Sequence, residues 1–243
     1  MPAKALHDPI ILTGAGFSAQ GKSILSGITL TLTEPRIGIV GRNGSGKSTL
    51  LRRIAVLNAP TEWQVRLGTL DPARDRKPLL NRLGILFQNP DHQILFPTVT
   101  EELAFGLRQQ GHPDPAGRVK NLLAAEGRSH WADAPTHTLS QGQRHYLCLL
   151  AVLLMEPQTI LLDEPFAGLD LPTTTRLTRR LRQLPQRLMT TTHDPAVVTG
   201  ADRVIWMESG RVVGDGPAAQ TLAAFTTDMA MRGARDADTD FTT

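Results

Sequence analysis

The chain has 243 residues, 40% hydrophobic and 20% charged, with a formal net charge of +3 and one cysteine. That length buries one sizeable core and supports one to two domains. The single cysteine excludes an internal disulfide framework and a cysteine-rich zinc site, and no apolar run reaches the ~18 residues of a membrane-spanning helix. The opening MPAKALHDPI lacks the apolar stretch of a secretory signal, so a cytoplasmic protein is expected. Basic residues are scattered. The cluster Arg176, Arg179, Arg180 and Arg182 is expected on the solvated face of a helix rather than against nucleic acid.

In chain order, residues 24–32 (ILSGITLTL) and 36–40 (RIGIV) are β-rich, and a glycine-rich turn leads into a helix starting near Lys47. Residues 83–87 form a further strand segment, and from Phe87 to Pro157 the character turns helical. Thr98-Val99-Thr100-Glu101 is a capping-box pattern that opens a helix through Leu107. Val119, Leu122 and Leu123 mark a second amphipathic helix, and Gln141 to Met155 a third, with Cys148 expected as a buried structural thiol. β/α alternation then returns. TILLD (159–163) is an apolar run suited to a strand buried on both faces of a parallel sheet. A helix carrying Leu177, Leu181 and Leu184 on one face follows, then the strand RLMTTT (187–192). Arg203–Glu208, Ser209-Gly210 and Arg211–Val213 spell a hairpin, and the tail from Thr226, with few apolar residues, is expected to be mobile. No internal repeat is present, which excludes solenoids and propellers.

Residues 41–49, GRNGSGKST, fit G-x-x-x-x-G-K-[ST] between an apolar strand and a helix former, LLRRIAVL. Glycines let the backbone N–H groups curl around phosphate oxygens, and the following helix aims its positive end at them. Gly41, Asn43, Gly44, Ser45, Gly46, Lys47, Ser48 and Thr49 are therefore the expected nucleotide-binding residues, with Lys47 neutralising the β- and γ-phosphates and Ser48 offering a hydroxyl to Mg²⁺. The strand 159–163 ends in two adjacent carboxylates, where ligands of a parallel sheet bind. Asp163 is expected to hold Mg²⁺ through its water shell, and Glu164 to act as general base toward the attacking water. Helix N-capping is the local alternative for such an Asp-Glu pair. Ser140-x-x-Gln143 is likewise a capping box, and a capped helix start is itself an anion site.

Four further segments fall in a telling order. Gln88 ends a strand, Leu139-Ser140-Gln141-Gly142-Gln143 precedes Asp163, Ala167-Gly168-Leu169-Asp170 follows the carboxylates, and Thr191-Thr192-His193-Asp194 ends the next strand. Together with the phosphate loop they resemble the Q-loop, signature, D-loop and switch histidine of ABC-type ATPases, over about 200 residues. The resemblance implies an α/β fold, a P-loop NTPase core of ABC-ATPase type with an N-terminal antiparallel β portion and a helical insertion. Core residues would be about 1–87 and 158–225, the helical subdomain about 88–157, and 226–243 a flexible tail. It further implies that Ser140, Gln141, Gly142 and Gln143 face the ATP of a second subunit, that Asp170 crosses the same interface, and that His193 contacts the γ-phosphate. Gln88 would sense Mg²⁺ and the nucleophile.

Departures are visible. Position 141 is Gln where the family has Gly, Tyr146 stands where Arg is common, and the family's early adenine-stacking tyrosine is missing, with Phe17 the nearest candidate. The stretch after Gln88, with Gln93 as a second glutamine and then Glu101-Glu102, is similar to the ATPases of energy-coupling-factor importers for cobalt, nickel, biotin and other vitamins. The expected partners are a second ATPase subunit, a homodimer being plausible, an integral-membrane coupling protein and a substrate-binding membrane protein, with no nucleic acid. ATP and Mg²⁺ are the expected cofactors, and the cytoplasmic face of the membrane the expected place. Cobalt is the first expected cargo, nickel or biotin next. A non-transport ABC ATPase, an exporter and a P-loop kinase are the alternatives. The first lacks its coiled coils here, the second its fused membrane segments, and the third would carry no signature motif.

Overall fold

The structure is a computed structural model that describes residues 7–55, 64–72 and 74–234. Its strands are β1 (Ile10–Ala19), β2 (Lys22–Leu32), β3 (Arg36–Val40), β4 (Gln64–Leu67), β5 (Leu83–Leu86), β6 (Thr159–Asp163), β7 (Arg187–Thr192), β8 (Arg203–Glu208) and β9 (Arg211–Pro217). Its helices are α1 (Lys47–Ile54), α2 (Arg76–Leu79), α3 (Val99–Gln109), α4 (Pro115–Ala125), α5 (Gln141–Leu154), α6 (Leu171–Arg182) and α7 (Ala218–Ala234). The chain divides into two compact units, one of Ile10–Val65 with Met189–Thr243, the other of Met1–Pro9 with Arg66–Leu188. No helix among the described residues is long and apolar enough to cross a membrane.

In the first unit β1 and β2 form an antiparallel pair running from Ile10↔Leu32 to Ala19↔Lys22. From Ile28 to Leu32 the apolar residues of β2 alternate inward, the period-2 pattern of a one-sided strand. β1 carries register shifts on either side of Ala15, which break that period and hide the strand from a pattern-based reading. β3 lies parallel to β8, from Ile37↔Arg203 to Val40↔Trp206. β8 returns antiparallel as β9, which extends to Pro217, four residues beyond the expected hairpin.

Of the expected tail, Thr226–Ala234 are the end of α7; residues 235–243 lie outside the described ones. Burial of Leu222 and Phe225 beside Val40 and Val204 anchors α7, and the Phe225 ring meets Trp206 edge-on at 5.7 Å. Beyond Phe225 the hydroxyl of Thr227 donates to the Ala223 carbonyl, and Arg232 bridges Asp228 and Glu208. The pairs within the helix and the Arg232–Glu208 pair to β8 substitute for the apolar residues the tail lacks.

In the second unit β5 and β6 are parallel, Leu83↔Thr159 through Leu86↔Leu162, and all five β6 residues are buried as its continuous apolar run foretold. Leu86, Ile160 and Leu162 share one core with Leu103, Leu107, Val119, Leu123, Leu147 and Leu150 of α3, α4 and α5. Each buried leucine contributes about 2 kcal/mol. The Ser140 cap of α5, at about 1 kcal/mol, therefore decides where that helix begins, not whether it forms. Both halves of that cap are made: Ser140 Oγ accepts from the Gln143 amide at 3.3 Å, and Gln143 Oε1 accepts from the Ser140 amide at 2.8 Å. Thr98 caps α3 in the same region, accepting from the Glu101 amide at 3.4 Å and donating to Glu101 Oε2 at 2.6 Å.

Candidate functional site

Within the first unit, residues 41–49 join the end of β3 to the start of α1. A Cβ at Gly41 would stand 2.3 Å from the Met207 carbonyl oxygen, and one at Gly46 would stand 2.8 Å from a Leu25 methyl. Gly46 also holds φ at 99° as the N-cap of α1. Only glycine fits either place, so the loop wraps with bare backbone toward its hollow. Lys47 is 5% exposed and folds back across the loop, its ammonium donating to the carbonyls of Gly41 at 2.8 Å and Arg42 at 3.0 Å. Ser45 Oγ is buried with no hydrogen-bond partner, an orphan that an anion seated in the loop could engage. α1 begins without a side-chain cap and without an acidic residue in its first turn, which leaves its positive end open for phosphate.

His193 belongs to this unit and is exposed just after β7. It lines a cavity of about 410 Å³ together with Gly41, Arg42 and Asn43, and with Phe225 and Met229 from α7. The switch histidine and the first half of the phosphate loop are thus brought together. Phe17 carries the Arg53 guanidinium 3.6 Å from its ring centroid, so one of its faces is already covered by a cation.

The second unit collects the carboxylates, Gln88, the signature segment and Asp170. Asp163 is fully buried at the end of β6, and Glu164, 8% exposed, follows with φ at 48°. The pairing Leu86↔Leu162 sets Gln88 and Glu164 each two residues past the last matched pair, at the same carboxyl end of the parallel strands. Gln93 Oε1 accepts from the Phe87 amide at 3.1 Å and closes the turn that Gln88 sits in. Asn89 caps the single 3₁₀ turn Pro90–His92. Glu102, read from the sequence as part of the stretch that resembles energy-coupling-factor ATPases, accepts from the amides of Leu95 and Phe96 at 2.8 and 3.0 Å and so shapes this segment.

Ser140 and Gln141 are exposed at the start of α5. Asp170 is exposed too and caps α6, its Oδ1 accepting from the Thr173 amide at 2.9 Å; the Thr173 side chain first, and that amide bond second, lower its pKa. Arg144 pairs with Asp91 at 3.1 Å and donates to the Leu139 carbonyl at 2.8 Å, tying the signature helix to the turn after Gln88. Tyr146, in the place of the family's arginine, donates its phenol to Glu126 at 2.6 Å; burial, reinforced by that bond, pushes its pKa up to about 12. Cys148 is fully buried, and burial pushes its thiol up to about 12, which makes it an inert packing residue. His145 is also buried in this helix, 1% exposed, a burial that sequence reading missed. A lone imidazole within RHYLCLLAVLL was the available signal, since an apolar helix interior rarely admits an ionisable group without a partner.

Residues 20–167 match the family model described as ABC transporter. The chain is similar to the biotin transport ATP-binding protein BioM of Rhodobacter capsulatus, 50% identical over 208 residues that cover 85% of this chain and 89% of that one. Among solved structures it is similar to cbiO1 from Clostridium perfringens, part of the ABC transporter complex cbiONQ. The TM-score is 0.75 at 29% identity, over 93% of this chain and 95% of that one. It is also similar to an ATP-binding cassette solved as a dimer in a post-hydrolysis state with ADP and Pi, with a TM-score of 0.73 at 25% identity, over 86% of this chain and 98% of that one.

Proposed function

Because the chain belongs to the ABC transporter family of ATP-binding proteins, we propose that it energises an energy-coupling-factor importer whose cargo is biotin. It is an ATPase, and its hydrolysis of ATP is coupled to transport. The observation that carries the cargo is the 50% identity to a biotin transport ATP-binding protein, against 29% to the cbiO1 structure. The expected order, cobalt first, is reversed on that ground.

In the proposed reaction the phosphate loop, residues 41–49, and the Lys47 ammonium hold the ATP phosphates. The Ser48 hydroxyl, the Gln88 amide oxygen and the Asp163 carboxylate would hold Mg²⁺, an all-oxygen donor set of the kind that ion takes. A fully buried carboxylate such as Asp163 requires compensating charge or hydrogen bonds, and the ion, when bound, neutralises charge on the phosphates. Glu164 takes the proton of the attacking water, and His193 orients that water and contacts the γ-phosphate. A second copy of the chain presents Ser140, Gln141, Gly142 and Gln143 to the same nucleotide, and Asp170 crosses between the copies. The dimeric solved neighbour supports that arrangement. The partners proposed are a membrane coupling protein and a small substrate-binding membrane protein, with the ATPase peripheral at the cytoplasmic face.

The test is to extract membranes gently, identify what copurifies, and measure ATP-driven uptake by the reconstituted complex. Uptake of labelled biotin, with a coupling protein and a compact membrane protein present, is the expected result. Uptake of cobalt and not biotin would restore the earlier order. A permease working with a soluble binding protein would place the ATPase in another importer class.

A further inference from the structure

Within the first unit β8 and β9 are joined by the two-residue turn Ser209-Gly210, closed by the Glu208↔Arg211 pair. Both turn residues hold positive φ, 46° and 77°, as the tight hairpin turn that matches strand twist requires. A Cβ at Gly210 would stand 2.2 Å from the Ile24 carbonyl oxygen, so the turn is seated against β2 with no room for a side chain. The Ser26 amide donates to the Gly210 carbonyl at 2.9 Å, and the Gly210 amide donates to the Ser45 carbonyl at 3.0 Å. The turn therefore joins β2 to the phosphate loop.

The bond to Ser45 has a direction. In a planar trans peptide the C=O and the N–H point to opposite sides. With the Ser45 carbonyl held on Gly210, the Gly46 N–H is turned away from the hairpin, and Gly46 is the N-cap of α1. Amides at such a helix start are the ones that phosphate oxygens take. The end of β8 meets the loop a second time at Gly41, through the Met207 carbonyl.

Glu208, two residues before Gly210, is gripped by Arg232 of α7. Arg232 Nη2 donates to Oε2 at 2.9 Å and Nη1 donates to Oε1, a bidentate pairing that fixes direction as well as distance. Arg232 Nε donates to Asp228 Oδ2 at 2.6 Å, so the guanidinium is oriented from within its own helix. Leu222 and Phe225 already anchor α7 in the apolar core. A half-exposed ion pair adds little to folding, and this one is better explained by what it holds in place.

We propose that Arg232 is a positioning residue for nucleotide binding: by gripping Glu208 it fixes the Ser209-Gly210 turn, and through Gly210 and the Ser45 carbonyl it aims the Gly46 amide at a phosphate. The inference rests on the reading of residues 41–49 as the loop that holds the ATP phosphates. It makes the far end of α7 a determinant of nucleotide affinity.

The experiment compares three variants of the full chain. Arg232→Met removes the grip, Glu208→Arg sets like charges against each other, and Glu208→Arg/Arg232→Glu restores the pair in reverse. The Kd for ADP, which keeps the phosphates nearest the loop and is not hydrolysed, is measured by calorimetric titration. Thermal midpoint and kcat at saturating ATP are measured beside it. Each single variant is expected to bind ADP about threefold more weakly, the size of effect that an ion pair at this exposure can transmit, with kcat within twofold of wild type. The exchanged pair is expected to recover at least half of the lost affinity. Should Arg232→Met not fold, Arg232→Ala takes its place. Single variants less than twofold weaker than wild type, or an exchanged pair that recovers nothing, would overturn the assignment. A purely structural role would lower the thermal midpoint and leave the affinity of the folded fraction alone. Wild type that binds no ADP would overturn the reading of the loop and this inference together, whereas wild type that binds it, with unaffected variants, would overturn only the inference.

Discussion

The side-chain amide of Gln141 closes on Gly168, so that a Cβ at residue 168 would stand 2.9 Å from its Nε2. The residue that departs from the family's signature thus packs against the loop that precedes Asp170 in the same chain. Two effects oppose Gly168→Ala. The contact is with the far end of a flexible side chain, which can swing aside, whereas φ at 71° is fixed by the turn. The backbone effect should dominate, costing about 1–2 kcal/mol of stability. Chemical unfolding of Gly168→Ala and of Gln141→Gly/Gly168→Ala checks this. The double variant should recover no more than about 0.5 kcal/mol. Full recovery would mean that Gln141, not the backbone, sets the limit.

Much of the fold was legible because its signals are local. The phosphate loop, the caps at Thr98 and Ser140 and the apolar run of β6 each lie within a few residues, and each appears where the pattern put it. β1 did not announce itself, because register shifts around Ala15 interrupt its alternation. α7 beyond Phe225 was missed because its support comes from Arg232 pairing with Glu208 on β8, 24 residues earlier. The turn after Gln88 depends on Glu102 and Arg144, contacts over 6 to 53 positions that no periodicity encodes. Motif order identified the candidate site residues, but not what holds them.

Lys47 is tied to the phosphate loop through the carbonyls of Gly41 and Arg42. Lys47→Ala should therefore remove both a charge for the phosphates and two bonds that shape the loop. With charge-assisted bonds at about 1.5–3 kcal/mol each, ATP affinity should fall roughly 100-fold. Calorimetric titration measures this directly. The rise in thermal midpoint that saturating ATP gives the wild type should vanish in the variant, and a surviving rise would show that backbone donors alone suffice.

Glu164→Gln keeps the shape of the buried carboxylate and removes its capacity to take a proton. If two chains share each nucleotide, this variant should bind ATP, lose about 100-fold or more in turnover, and accumulate as a closed dimer. Light scattering at saturating MgATP distinguishes the outcomes. A monomer under those conditions would count strongly against Ser140 serving the nucleotide of a second copy.

His145 also gives a pH signature. Its pKa falls from 6.5 to about 4 on folding, chiefly through burial, so between those values the unfolded chain binds a proton that the folded chain refuses. The stability it preserves is complete above pH 6.5 and is lost as the pH falls through the window. At pH 5 the loss relative to neutral pH should be about 2 kcal/mol, at 1.36 kcal/mol per pKa unit. Carboxylates elsewhere in the chain titrate in the same range, so the wild type alone cannot isolate the effect. Urea unfolding of wild type and His145→Leu at pH 7 and pH 5 removes that background by difference. The wild type should lose about 2 kcal/mol more than the variant over the interval. Equal losses would mean that the imidazole titrates normally, as an exposed ring would, and not as one 1% exposed in the helix.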